Sequence, residues 1–380
     1  MHRRGFMDLG GKVALLAASP LTIVSCNQAG EARSGQATEN ASLLAELGPP
    51  AIEILTLASR APSGHNTQPW TVTVLDREHW IIGIDEARRL PAVDPTARET
   101  LLSLGAFLEN LVAAAAHHGY RVEYDVVAQS PADAAVVDLR LRKAAPSPQP
   151  LDQIKLRRTV RNGHLASEIK STDIASVTGQ KEGFHYFPRG TAAAKYLSEG
   201  TVEANRRQAF RDPAEEELAN WIRWSAQDAA KFRNGLTPSS MEIEGMAGWY
   251  VSHFYNRASV LSKSFRETAI TQVMERVGQG GGWLVVSSAG TAIPTLIDCG
   301  REVERMWLRL RERKIAIHPM TQMLEEAPWR EQVGTSLGID GVPQFILRIG
   351  YLSSYPNPVS VRMPPEWITR SRSAEAKGVG

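Results

Sequence analysis

The feature that most constrains the fold is a polar, turn-rich loop that separates a helical pattern from an extended one. The loop runs from Arg60 to Trp70 and contains two prolines, a glycine and several side chains that can form hydrogen bonds. The apolar spacing of residues 52–58 predicts a helix before it, and the Val- and Thr-rich residues 71–75 predict a strand after it. Loops held between rigid elements commonly carry ligand contacts, so this stretch is the first candidate binding site.

The length of the chain predicts two packed units. Its 380 residues exceed what one ordinary core holds, and 43% hydrophobic and 22% charged residues are typical of a globular protein. A net charge of +2 argues against a nucleic-acid partner. The two cysteines, Cys26 and Cys299, make neither a disulfide framework nor a zinc motif.

Residues 1–26 predict an export signal. Arg3-Arg4 opens a twin-arginine pattern, and an apolar run from Val13 to Val24 follows that is too short to span a bilayer. Residues 23–26 look like a lipobox, so lipidation at Cys26 would tether the protein to a membrane, and a cleaved signal with an incidental cysteine is the alternative. We therefore expect a periplasmic or membrane-anchored protein, with residues 27–46 as a polar tether. Twin-arginine export carries folded proteins, which suits a protein with a bound cofactor.

Residues 47–150 and 151–380 predict two units joined at a proline-rich segment, Ala145–Pro150. In the first unit we predict helices over 50–59 and from Asp94-Pro95 to His118, and strands over 71–75, 80–84, 121–127 and 135–142. In the second we predict helices over 192–209, 213–233, 241–256, 260–276 and 289–314, and strands over 283–287 and 343–349. Residues 104–108 and 289–293 show the weak similarity that a fused duplication leaves.

A second candidate site is the basic segment at the start of the second unit. Arg157, Thr159 and Arg161 alternate along the chain, and in an extended segment they would project on one side. Two guanidiniums and a hydroxyl on one side suit a phosphate group, because arginine binds phosphate oxygens in pairs. The alternative is a basic face exposed to solvent.

These segments resemble the motifs of the nitroreductase-like flavoprotein superfamily. Arg60–Trp70 is similar to its APSGxNxQPW loop, and residues 157–161 are similar to its RRSxR segment, with Thr in place of Ser. The resemblance implies an FMN cofactor whose phosphate is held by Arg157, Thr159 and Arg161. It also implies that the first loop borders the flavin through Pro62, Ser63, Gly64 and Asn66. Turn and helix-cap hydrogen bonds are the alternative for Ser63 and Asn66. Gln68 and Trp70 are expected to stabilise that loop instead.

The C-terminal segment adds one residue to this resemblance. The superfamily typically ends with a Gly-Tyr-Pro turn followed by a K-x-R motif whose basic residues reach the same phosphate. Here Leu352 replaces the proline and Ser360 replaces the lysine, while Arg362 matches the arginine. The resemblance therefore assigns Arg362 to the phosphate site, and a surface charge is the alternative.

In the distribution of its motifs, the chain resembles the fused, pseudo-dimeric nitroreductase-like proteins of the Acg type. The loop occurs only in the first unit, whereas the basic segment and Arg362 occur only in the second. This implies one complete FMN site per chain and a monomer. It also implies an α+β fold with a mixed, mainly antiparallel sheet in each half and two long helices along the seam.

An aromatic stripe lies on the predicted helix over 241–256. It consists of Trp249, Tyr250, Phe254 and Tyr255. Core packing is the default interpretation of such a stripe. A roof over the flavin is the alternative that the resemblance suggests.

Three functions are compatible with the sequence. The resemblance implies an FMN-dependent oxidoreductase that passes hydride or electrons to a nitro, quinone or similar acceptor, and it requires no side chain as acid or base, so no catalytic residue is assigned. A flavin-binding or flavin-storing protein with little turnover is the alternative. A lipid-anchored interaction protein with an empty site is the third.

Overall fold

The computed structural model describes residues 37–179 and 181–372. Its helices are α1 Ala37–Leu47, α2 Pro49–Ala58, α3 Arg98–His117, α4 Leu151–Leu156, α5 Ser171–Thr178, α6 Ala192–Ala209, α7 Asp212–Trp221, α8 Ala226–Phe232, α9 Gly245–Phe254, α10 Arg257–Val260, α11 Lys263–Val277, α12 Ile293–Glu312, α13 Gln322–Glu325, α14 Trp329–Leu337 and α15 Pro365–Ile368. Its strands are β1 Trp70–Val74, β2 His79–Ile84, β3 Tyr120–Val126, β4 Ala135–Lys143, β5 Phe184–Pro188, β6 Gly282–Ser288, β7 Ile315–Pro319, β8 Val342–Tyr351 and β9 Thr369–Ser371. The predicted export signal, with Arg3, Arg4 and Cys26, lies outside the described residues.

The strands form two sheets, which confirms the predicted α+β class. The first has the order β3-β4-β2-β1-β9 and the second the order β5-β6-β8-β7. All pairs are antiparallel except β1 with β9, so the sheets are mixed and mainly antiparallel, as predicted. Strand β9 returns from the C-terminal end of the chain to the first sheet, where Val72 pairs with Thr369.

Helices α3 and α12 cross at the centre of the molecule, in agreement with the expected seam. At the crossing the two backbones nearly touch, because each helix has a glycine there. A Cβ on Gly105 would lie 2.1 Å from the Ile297 carbonyl oxygen, and a Cβ on Gly300 would lie 2.1 Å from the Leu102 carbonyl oxygen. The counterpart of Gly105 is therefore Gly300. The predicted match between residues 104–108 and 289–293 is wrong, since Gly290 precedes α12 in open space.

One hydrophobic core runs from the first sheet through both central helices to the second sheet. Trp70 at the start of β1 is fully buried and stacks on Phe107 of α3, with ring centroids 5.1 Å apart. Helix α3 has the length and hydropathy of a membrane span, and 83% of that window is buried inside the protein. Its apolar residues are thus used for packing between the halves.

Several predicted boundaries are wrong for identifiable reasons. The helix expected from Pro95 begins at Arg98, because the Asp94 carboxylate accepts hydrogen bonds from the amides of Glu99 and Thr100 after a left-handed Ala97. The helix expected over 213–233 is split into α7 and α8, since Ile222 leaves the helix to bridge Leu236. The helix expected from residue 289 begins at Ile293.

Part of the predicted tether is a helix. Residues 37–46 belong to α1, which buries Leu44 in the core and places Leu43 and Leu47 against it. Nδ2 of Asn40 also donates to the Glu366 carbonyl at 3.0 Å. An apolar side and a tertiary hydrogen bond therefore order a segment whose composition alone suggested a linker.

The aromatic stripe is mostly exposed, so the expectation of core packing is wrong for three of its residues. Trp249, Tyr250 and Phe254 are between 52% and 59% exposed. Tyr255 alone packs inward, against Trp224 at 5.2 Å between ring centroids. Among the described residues of α9, none lines the central cavity, so the roof interpretation gains no support.

Candidate functional site

A cavity of about 370 Å³ lies where the two halves meet. Its walls come from the loop after α2, the extended segment after α4, the facing sides of α3 and α12, and the C-terminal segment before α15. The apolar part of the lining includes Leu102, Ala106, Val303, Trp307 and Phe345. The volume is within the range typical of small-molecule sites.

The loop after α2 has an unusual backbone. His65, Asn66 and Gln68 have φ angles of 47°, 55° and 53°, a left-handed region that is costly for residues other than glycine. Such strain persists only where surrounding contacts over-determine the conformation. Here the Ser63 hydroxyl accepts from the Gln68 amide at 3.0 Å and closes the turn.

Gln68 supplies most of those contacts. It is fully buried, its Oε1 accepts from the Met363 amide at 2.9 Å, and its Nε2 donates to the Arg233 carbonyl at 2.9 Å. The guanidinium of Arg88 donates to the Gln68 carbonyl at 2.6 Å. The predicted structural role of Gln68 is confirmed, and its bonds tie the loop to the C-terminal segment.

Asn66 orients one of the predicted phosphate ligands. Its Nδ2 donates to the carbonyls of Gly235 and Val361, at 3.0 and 3.1 Å, and its Oδ1 accepts from Arg362 Nη1 at 2.7 Å. Asn66 therefore holds Arg362 at the cavity, and the side-chain amide of Asn66 already has hydrogen-bond partners within the protein.

Arg157 begins the extended segment and is almost fully buried. Its Nε lies 3.1 Å from the Glu304 carboxylate, which is fully buried on α12, and its guanidinium lies over the Trp307 ring, 4.7 Å from the centroid. Burial raises the pKa of Glu304, and the charge of Arg157 opposes that shift. The ion pair and the stacking fix the guanidinium against the wall of the cavity.

Arg161 and Thr159 follow on the same segment, and both line the cavity. Arg161 Nη1 donates to the Ser240 carbonyl at 2.5 Å, and its amide donates to Glu242 Oε1 at 3.0 Å. The intervening Arg158 also lines the cavity and pairs with Glu242 at 2.9 Å. Burial lowers the pKa of Arg161 to about 10, with Glu242 opposing the shift.

Positive charge is concentrated at one end of the cavity. Burial, then the charges of Arg157 and Arg60, lower the pKa of Arg362 to about 9. Burial and the charge of Arg157 lower the pKa of Arg60. Guanidiniums stay protonated near neutral pH, so these shifts mark buried cations that also repel one another, and a bound anion would stabilise them.

Another part of the lining carries two carboxyl groups. Glu99 and Glu325 both line the cavity, and Gln208 Nε2 donates to Glu325 Oε2 at 2.5 Å. Burial and the neighbouring charge of Glu99 raise the pKa of Glu325 well above its usual range. The cavity is thus polarised between an arginine-rich end and these carboxyl groups.

All the residues predicted as ligands line this one cavity, although they come from three separate stretches of the chain. They are Pro62, Ser63, Gly64, Asn66, Arg157, Thr159, Arg161 and Arg362. Their individual roles in binding stay predictions. Sequence reasoning missed Glu304, which has no local motif, and Arg60, which opens the loop motif but received no role.

No family model matches the sequence. The chain is 26% identical over 324 residues to PigM of a Serratia species, described as a probable NAD(P)H nitroreductase, and the match covers 78% of this chain and 86% of PigM. It is 25% identical over 342 residues to acg of Mycobacterium tuberculosis, which has a similar provisional description, with 84% of this chain and 95% of acg covered. These relatives agree with the nitroreductase-like resemblance of the motifs.

Solved structures of single nitroreductase chains match parts of the molecule. A nitroreductase with bound FMN from Bacteroides fragilis has 16% identity and a TM-score of 0.33, covering 57% of this chain and 96% of its own. The FMN-dependent nitroreductase NfnB from Mycobacterium smegmatis, in complex with NADPH, has 15% identity and a TM-score of 0.31, covering 55% and 92%.

Proposed function

We propose that this protein is an FMN-binding oxidoreductase of the nitroreductase-like superfamily. The observation that carries the proposal is the convergence of two motifs and Arg362 on one cavity between the halves. The similarity to nitroreductases over most of the chain supports it independently.

The lining residues fit FMN. The cofactor's phosphate needs convergent cations, and Arg157 and Arg362 meet at one end of the cavity. Within the described part of the chain, Arg362 Nε is buried without a hydrogen-bond partner, as expected of a donor reserved for a ligand. The flavin ring needs an apolar slot, which Leu102, Ala106 and Trp307 would supply.

When bound, FMN would supply the redox chemistry by accepting and passing on hydride or electrons. The chain would contribute binding, orientation and exclusion of water. Arg157, Thr159 and Arg362 would hold the phosphate, and Arg161 would add charge and a donor along the cavity. The strained loop from Pro62 to Asn66 would border the ring.

Flavin content and turnover test the proposal. The purified protein should be yellow and should release FMN on denaturation. Excess NADPH should bleach the yellow colour, and a nitroaromatic or a quinone should restore it. Colour that persists under excess NADPH would support flavin storage or another electron donor, and a colourless protein that binds no added FMN would refute the cofactor assignment.

We also propose that the protein is exported by the twin-arginine route and is periplasmic or membrane-anchored through Cys26. The observations behind this are Arg3-Arg4, the short apolar run and the lipobox pattern. Replacing Arg3-Arg4 by Lys-Lys should retain the protein in the cytoplasm, measured by cell fractionation. Normal export of that variant would indicate a different route. The lipid anchor is tested separately with a Cys26→Ser variant, which should leave the membrane fraction if Cys26 carries the lipid.

A further inference from the structure

We propose that Arg60 is a third arginine ligand of the FMN phosphate, contributed by the half of the chain that also borders the ring. The inference rests on the proposed function. It assigns a ligand to a residue that neither motif predicts, and it makes the phosphate a bridge between the two halves.

The position of Arg60 is the first argument. Its carbonyl oxygen accepts hydrogen bonds from Nη2 of Arg157 and from Nη2 of Arg362, the latter at 3.3 Å. The two arginines proposed to hold the phosphate, Arg157 and Arg362, therefore converge on the backbone of residue 60. Arg60 itself lies in the turn that ends α2, where its amide donates to the Leu57 carbonyl at 3.0 Å, so its backbone is held rigidly at the cavity.

The free donors of Arg60 are the second argument. Among the residues that the structure describes, no hydrogen bond or ion pair satisfies its guanidinium, although the side chain is half-buried. The other arginines nearby are engaged, Arg157 with Glu304 and Arg158 with Glu242. A guanidinium carries five N–H donors, so a partly desolvated one without a partner is suited to an incoming anion.

The charge balance is the third argument. Arg157 and Arg362 both act on the Glu304 carboxyl, and Arg60 adds a third guanidinium beside these two, so positive charge exceeds negative charge at this end of the cavity. A phosphate monoester carries about −1.5 to −2 at neutral pH. Without Arg60, the site would neutralise only part of that charge.

A substitution at Ser360 can test whether another positive charge compensates for the loss of Arg60. It lines the same cavity two residues before Arg362 and carries no charge. A lysine at position 360 would extend from the C-terminal segment toward the same end. If Arg60 acts through its charge on the phosphate, a cation introduced there should compensate for its loss.

The experiment compares FMN with riboflavin, which has the same ring but no phosphate, by fluorescence titration of the apoprotein. Arg60→Ala should weaken FMN binding by roughly ten- to a hundredfold and leave riboflavin binding unchanged. Arg60→Lys should show a smaller loss. Adding Ser360→Lys to Arg60→Ala should recover much of the FMN affinity, whereas Arg77→Ala, at an exposed hairpin position, should change neither affinity.

Three results would overturn the inference. Unchanged FMN affinity in Arg60→Ala, together with a large loss in Arg157→Ala, would leave the proposed function intact and remove Arg60 from the site. Equal losses for FMN and riboflavin would mean that Arg60 only supports the loop. A wild-type protein that binds neither flavin would refute both the inference and the proposed function.

Discussion

Glu304 shows how strongly single buried residues control this site. It lies on α12, is fully buried, and has Arg157 as its cationic partner. Without that partner a carboxylate would be left uncompensated in the core, which is among the most destabilising changes a protein can undergo. Arg157 therefore has two predicted functions, one in stability and one in binding.

Substitution at both positions separates those functions. Arg157→Ala should lower the free energy of unfolding by about 3–5 kcal/mol, because Glu304 loses its partner. Arg157→Ala combined with Glu304→Gln should recover most of that loss, measured by urea denaturation. FMN affinity should remain low in both variants, and its recovery in the double variant would contradict the assignment of Arg157 to the phosphate.

His164 predicts a pH dependence of stability. It is 6% exposed, and burial together with the charge of Arg348 lowers its pKa to about 3 from 6.5. Between these values the folded protein binds fewer protons at this site than the unfolded chain, so this contribution to stability is present above pH 6.5 and is lost as pH falls. The loss from about pH 7.5 to pH 5 should be on the order of 2 kcal/mol for this residue.

His164→Leu should reduce that acid dependence. The variant should lose less of its unfolding free energy than the wild type over the same interval, measured by urea denaturation at both pH values. His117→Leu, at an exposed position, is the control and should follow the wild-type profile. Parallel profiles for His164→Leu and the wild type would show that His164 is not the group responsible.

At the scale of elements, the crossing of α3 and α12 determines the shape of the cavity. Leu102, Ser103 and Ala106 line it from one helix, and Gly300, Val303 and Trp307 line it from the other. The two glycines at the contact allow the helices to approach until side chains from both can form one wall. A wider separation would move the two walls apart.

Gly105→Ala or Gly300→Ala should therefore destabilise the protein by about 1–3 kcal/mol or more, despite the higher helix propensity of alanine. The reason is that each new methyl group would overlap a carbonyl oxygen of the facing helix. FMN affinity should fall as well. Gly290→Ala, where nothing lies within 4 Å, should leave both quantities unchanged in denaturation and titration experiments.

Local patterns predicted most of these elements but not their contacts. Strands β1 to β4 and helix α6 lie where periodicity places them, since their side-chain spacing reflects one buried face. The four residues between α11 and β6 include three glycines, a composition that is typical of such a break. By contrast, the short strands β5, β7 and β9 were missed, because each is defined by its partner strand rather than by its own sequence.

At the scale of the whole molecule, both halves contribute residues to one cavity. The loop after α2 comes from the first half, and residues 157–161 and Arg362 come from the second. The return of β9 to the first sheet carries Arg362 past Asn66 and Gln68 on the way. The domain boundary near residue 150 stays a prediction, and the C-terminal strand crosses it.

This arrangement predicts a monomer that binds one FMN. Light scattering coupled to size exclusion should give the mass of one chain, because both contributions to the site come from the same polypeptide. The ratio of released FMN to protein should approach one after saturation with the cofactor. A ratio near two, or FMN binding only in a dimer, would contradict the fused-site interpretation.

The sequence by itself determined the fold class, the two motifs and eight of the residues that line the cavity. It could do so because motif residues are recognised by type and spacing, and helices and strands by the period of their apolar positions. Only the tertiary structure decided how these parts meet: the glycine contact between α3 and α12, the pairing of Arg157 with Glu304, and the place of Arg60 among the arginines. Those features depend on residues far apart in the chain, so burial and charge act on them only after the halves have packed together.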